Sequence, residues 1–92
     1  MPVPMGIDSL ANLGPRSRDM LARAGIHTEA QLRELGAVRA FARVRRSGAQ
    51  ASLNLLWALE GAITGQPWQE VAREHRTSLL LAVESLERGL PP

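Results

Sequence analysis

The side chains of this 92-residue sequence best suited to chemistry on a partner are its arginines. Arg16 and Arg18 flank a corner, Gly14-Pro15-Arg16, and Arg39, Arg43, Arg45 and Arg46 follow with no acidic residue between Glu34 and Glu60. Six guanidinium groups on one surface would bind a nucleic-acid backbone by releasing its counterions, without reading the sequence. A helix start at the corner could add backbone donors for a phosphate. A plainer reading makes the same arginines the solvated sides of two amphipathic helices, partly paired with Asp19, Glu29 and Glu34. Both readings stay open, with Gly14, Arg16, Arg18, Arg39, Arg43, Arg45 and Arg46 as the candidate contacts. An aromatic residue to stack on bases is missing there except for Phe41, which helical spacing assigns to the core.

Other reactive groups are sparse. His27 falls in a turn and His75 in the polar run Arg73-Glu74-His75-Arg76, far apart and without a second ligand at metal-binding spacing. The chain has no cysteine and no tyrosine, and none of its serines stands in a recognisable nucleophile turn. No metal, cofactor or catalytic residue is expected, and the protein is predicted not to be an enzyme. Glu60, inside an otherwise apolar stretch, is expected to pair with a cation or a helix start near the rim of the core, the other reading being a partner contact. Leu81, opposite Leu79 on its helix, is either simply exposed or part of a weak self-association patch.

All eleven basic residues are arginine, so a formal charge of only +2 coexists with a pI near 11.0. Residues 1–48 carry eight arginines and four acids, a net +4, while residues 49–92 carry three and five, a net −2. One half is basic and the other acidic. Aromatics make up 3% of the residues against 45% hydrophobic, a balance that suits helix packing. With no signal peptide, no span of 18 apolar residues and no disulfide framework, the expectation is a cytoplasmic protein without membrane contact.

The elements that would position these groups are punctuated by glycine. Residues 1–7 read as a flexible lead-in and 8–90 as a single helical domain. Asp8 or Ser9 can cap a short first helix bearing Leu10 and Leu13, ended by Gly14. Pro15 opens a second helix with Met20, Leu21 and Ala24 on one face, closed by Gly25. Thr28 and Gln31 form a capping box that starts a third, bearing Leu32 and Leu35. After Gly36 comes the arginine helix, Ala37 to Ser47, with Val38, Phe41 and Val44 inward. Ser52 can cap the next, Leu53 to Thr64, which is apolar nearly all round and so must be the central strut of the domain. Pro67 and Trp68 begin a short helix or turn, and a last helix runs from about Arg76 to Arg88, with a favourable Glu84–Arg88 pair. No strand is predicted.

The ordered run Leu13-Gly14-Pro15-Arg16-Ser17, Leu21-Ala22-Arg23-Ala24-Gly25-Ile26-His27-Thr28, Gln31-Leu32-Arg33-Glu34-Leu35-Gly36-Ala37-Val38 and Ser52 to Ala62 resembles the C-terminal domain of the TfoX/Sxy family over about residues 8–68. The resemblance implies an all-α fold, a compact bundle of five to six short helices with a helix-hairpin-helix-like N-terminal part. In the bacterial competence regulators of that family a separate α/β domain precedes this one, and the resemblance implies action alongside the cyclic-AMP receptor protein at promoters. Here seven residues precede Asp8, so a stand-alone domain is expected. Its function is expected to be a non-catalytic module that meets a protein partner in transcription regulation. The alternative is sequence-independent DNA binding by the hairpin and the arginine helix. Against a helix-hairpin-helix grip, which usually reads glycine–x–glycine, Gly14-Pro15-Arg16 lacks one amide donor and its second glycine.

Overall fold

Glycines and one capping box decide where the helices begin and end. The computed structural model describes residues 13–89, in which six helices follow one another: α1 (Pro15–Arg23), α2 (Glu29–Leu35), α3 (Ala37–Arg46), α4 (Leu53–Thr64), α5 (Trp68–Glu74) and α6 (Arg76–Glu87). No strand occurs among the described residues. Pro15, which lacks an N–H, takes the first position of α1, where no intrahelical partner is required. Past the helix end, Ile26 donates its amide to the Leu21 carbonyl at 2.9 Å and Gly25 donates to Ala22 at 3.0 Å. Gly25 has φ +84°, so the two bonds form a Schellman turn whose apolar contact is the buried pair Leu21 and Ile26.

The capping box is complete. The Thr28 hydroxyl accepts from the Gln31 amide at 3.1 Å, and Gln31 Oε1 accepts from the amides of His27 and Thr28 at 2.7 and 3.1 Å. Gly36 then ends α2 and starts α3 at once, with φ +81° and ψ +162°. That conformation is open to glycine and to almost nothing else. It turns the chain with no intervening loop.

All six helices enclose one cluster of apolar side chains, running from Leu13 to Val83. Leu56 and Leu59 of α4 are fully buried and Trp57 is 3% exposed, so the strut expected from its sequence lies at the centre, packed on α3 and α5. α6 covers α3 from another side. The inward line of α3 is Ala37, Ala40, Phe41 and Val44, while Val38 is only half-buried. Ala42 is buried as well, near the flank that carries Arg45 toward Glu87 of α6. Arg33 fastens α2 to the end of α4: its Nη1 donates to the Ile63 carbonyl at 3.0 Å while its other nitrogens hold Glu29 at 2.9 Å.

Several expectations are amended. Ser52 stands at the N-cap of α4, but its side chain makes no capping hydrogen bond. Leu53 keeps 38% of its surface exposed, and Asn54 lies in solvent, so the first turn of the strut is wetter than its composition implies. The lead-in of residues 1–7 and the first helix, with Asp8, Ser9 and Leu10, lie outside the described residues. Leu13 lies within them and is 8% exposed.

Truncating Leu56 or Trp57 to alanine should destabilise the fold by about 2–5 kcal/mol, with each kcal/mol lowering Tm by about 4–8 °C in a domain of this size. A thermal melt followed by circular dichroism checks this. Gly36→Ala should cost about 1–3 kcal/mol through backbone strain alone, since the added methyl meets nothing within 4 Å. Gly14→Ala, at an ordinary φ of −87°, should cost less than about 1 kcal/mol. Urea titration of the two variants side by side gives the comparison.

Candidate functional site

The arginines expected to share a surface are distributed over three places. On α3, with 100° between successive residues, Arg39, Arg43 and Arg46 fall within one exposed face opposite Ala37, Phe41 and Val44. Arg45 lies on the flank. Its Nη1 sits 3.5 Å from Glu87 Oε1, and its guanidinium lies 5.2 Å from the centre of the Phe41 ring. It is thereby held toward α6 and turned away from the other three.

Arg39 and Arg43 line a shallow depression of about 310 Å³ together with Gly25, Gln31 and Glu34. Glu34 offsets part of their charge there, although no salt bridge to it forms among the described residues. The other two acids expected to temper the arginine surface are engaged within their own helices. Asp19 holds Arg23 at 3.2 Å and Glu29 holds Arg33 at 2.9 Å, each four residues apart. Exposed pairs of that kind contribute little stability. The expected Glu84–Arg88 pair is also present.

At the corner, Gly14 is the N-cap of α1 with an extended backbone, φ −87° and ψ −179°, and makes no side-chain cap. Its carbonyl accepts from the Arg18 amide at 3.0 Å. Three amides, those of Gly14, Arg16 and Ser17, lack a partner within the helix instead of the usual four, because Pro15 has no N–H. A methyl at Gly14 would meet no atom within 4 Å. Neither the local φ nor the packing requires glycine at this corner. Arg18 is half-buried, and Arg16 is exposed and turned to a different surface from Arg39 and Arg43.

That surface is a groove of about 460 Å³ where the first turns of α1 meet α4 and α5, lined by Arg16, Met20, Leu55, Ala58 and Trp68 among others. Trp68 is 37% exposed. Its place in one groove with Arg16 was not legible in the sequence, because 51 residues separate them and helical spacing groups Trp68 with the buried Val71. A large aromatic at the very first turn of a helix, beside Pro67, was the available signal.

The remaining candidates stay isolated. His27 is exposed and His75 forms the junction between α5 and α6, and no group of three metal-ligating side chains occurs among the described residues. Glu60 is half-buried, and no cation pairs with it among the described residues, so the expected ion pair at the core rim is absent there and the carboxylate reaches water. Leu81 is 58% exposed. No described helix is long and apolar enough to cross a membrane.

Comparison with known proteins follows the same outline. The model of the TfoX C-terminal domain matches residues 4–83. The DNA transformation protein TfoX of Haemophilus influenzae is 29% identical over 82 residues, which cover 89% of this chain and 38% of that protein. The chain thus spans well under half of that relative's length. Two crystal structures of an uncharacterised protein from Listeria monocytogenes, in triclinic and tetragonal forms, each superpose with a TM-score of 0.76 at 30% identity. They cover 89% and 87% of this chain, and 93% and 99% of their own.

Proposed function

Because the chain belongs to the TfoX C-terminal domain family, we propose that it is a non-catalytic regulatory domain of bacterial competence, acting on transcription through contacts with a protein partner. The relative whose name states a function is a DNA transformation protein, which supplies the biological setting. The observation that favours protein over DNA as the contact is the dispersal of the arginines. A duplex presents a continuous line of phosphates, and binding to it without sequence readout grows with the number of cations that reach that line together. Here three arginines share a face, a fourth is tied to Glu87, and Arg16 borders a groove of mixed polar and apolar lining instead. Phe41, the aromatic nearest the basic helix face, is fully buried and so offers no platform for a base. Tryptophan and arginine, which both line that groove, are by contrast among the residue types that carry most binding energy in protein interfaces.

The second reading, sequence-independent DNA binding, is favoured by one feature, the shared exposed face of Arg39, Arg43 and Arg46. Its strength would be modest, because counterion release scales with the few phosphates that three arginines can neutralise.

Two measurements test the proposal. Deleting the gene in its host should lower both transformation frequency and transcription of the DNA-uptake genes; unchanged values would overturn the regulatory role. Fluorescence anisotropy with labelled duplex and single-stranded DNA should show no binding at low or moderate salt. Binding that weakens steeply with salt and disappears in the Arg39→Ala, Arg43→Ala, Arg46→Ala triple variant would instead make DNA the direct partner.

A further inference from the structure

We propose that the groove between the start of α1 and the α4–α5 pair is the docking site for an acidic, apolar peptide segment of the partner, with Arg16 and Trp68 as its two anchors. The inference rests on the reading of the domain as a protein-contact module and names the chemistry of what it contacts.

The volume of about 460 Å³ is within the range of pockets that enclose ligands the size of a few side chains. Met20, Leu55 and Ala58 supply apolar lining, and Trp68 lines the same groove while still 37% exposed. A partner leucine or phenylalanine laid against Met20 and Trp68 would remove both from water, and the unbranched methionine adapts to the shape of what arrives. Leu55 and Ala58 belong to α4, the best packed element of the fold, so that part of the lining is preformed. Little ordering is then required on binding.

Charge selects the rest of the occupant. Among the described residues Arg16 is the one charged residue lining the groove, no acid lines it, and no carboxylate pairs with Arg16. A carboxylate placed beside the apolar anchor would meet that guanidinium as a two-pronged hydrogen-bonded pair. The hydroxyl of Ser17 and the amides of Gln50 and Asn54 border the same space and can serve a peptide backbone. A basic peptide would set like charges together. A nucleic-acid strand fits poorly for a different reason: it brings a phosphate with every base, and among the described residues the groove meets it with a single cation, while Arg39 and Arg43 open onto a separate depression. Pocket shape, aromatic anchor and lone cation together describe a short segment with one large apolar residue and an aspartate or glutamate near it.

The test is selection from a random dodecapeptide phage library on the immobilised full-length chain, followed by anisotropy of the enriched peptides as labelled synthetic probes. The expected result is enrichment of sequences with an aspartate or glutamate near a large apolar residue. Their affinity should fall about tenfold with Arg16→Ala and again with Trp68→Ala. Arg16→Glu should shift selection toward basic peptides, and the Arg39→Ala, Arg43→Ala, Arg46→Ala triple variant should bind as the parent does. Both anchor residues are exposed, and thermal melts of the variants check that each remains folded. No enrichment, peptides without acidic bias, or affinity indifferent to Arg16 and Trp68 would overturn the proposal. So would binding of a labelled oligothymidylate that depends on the same two residues. If deleting the gene lowers transformation and an Arg16→Glu, Trp68→Ala double variant restores it fully, the groove proposal fails while the regulatory role stands.

Discussion

The structure depends on one constraint: α4 has too little polar surface to face water and must be enclosed. Seven of its twelve residues are buried, and Leu56, Trp57 and Leu59 form the middle of the core. A helix of this composition is stable only when neighbours cover it from several sides. α3 and α5 pack directly on it, α6 closes over α3, and the guanidinium of Arg33 in α2 binds the Ile63 carbonyl near its C-terminal end. The short helices are individually marginal, with α2 and α5 of only seven residues each. Packing on a common rod is what holds them.

Enclosing the rod also sorts the charges. No charged or polar residue is buried among the described residues, and every salt bridge there lies at the surface. Stability is therefore carried by apolar packing, while the arginines are left to solvation and recognition. The basic half of the sequence does not become one basic face. Arg16, Arg39 and Arg45 each border a different depression of the surface, the last two from different sides of α3.

What was legible in the sequence was local. From Pro15 onward the helix order, the glycines that end those helices, the capping box of Thr28 and Gln31 and the Glu84–Arg88 pair each depend on residues a few positions apart, and each is found. The apolar periodicity of α4 sufficed to place it at the centre. How the arginines divide among surfaces was not legible, because proximity in sequence is not proximity in space: Arg45 and Arg46 are adjacent, yet a 100° step sends them to different sides of α3. The groove joining Arg16 to Trp68 was beyond such reasoning, since it exists only where α1, α4 and α5 meet. Glu60 differs in another way: it lies half-buried at the rim, as its place in α4 implies, but no cation among the described residues pairs with it, because an ion pair depends on which side chain another helix brings near.

Gly36 carries a further consequence for how such a domain can vary. Two helices share that residue, so the angle between them is written into one pair of dihedrals, and there is no slack on either side of it. An inserted residue would rotate every later position of α3 by about 100° about its axis, driving arginines inward and Phe41 outward. The stretch between Arg46 and Leu53 has room to absorb a change in length that this elbow lacks. Insertions and deletions tolerated by the fold should therefore gather in that later connection, leaving the spacing from Thr28 to Val44 constant.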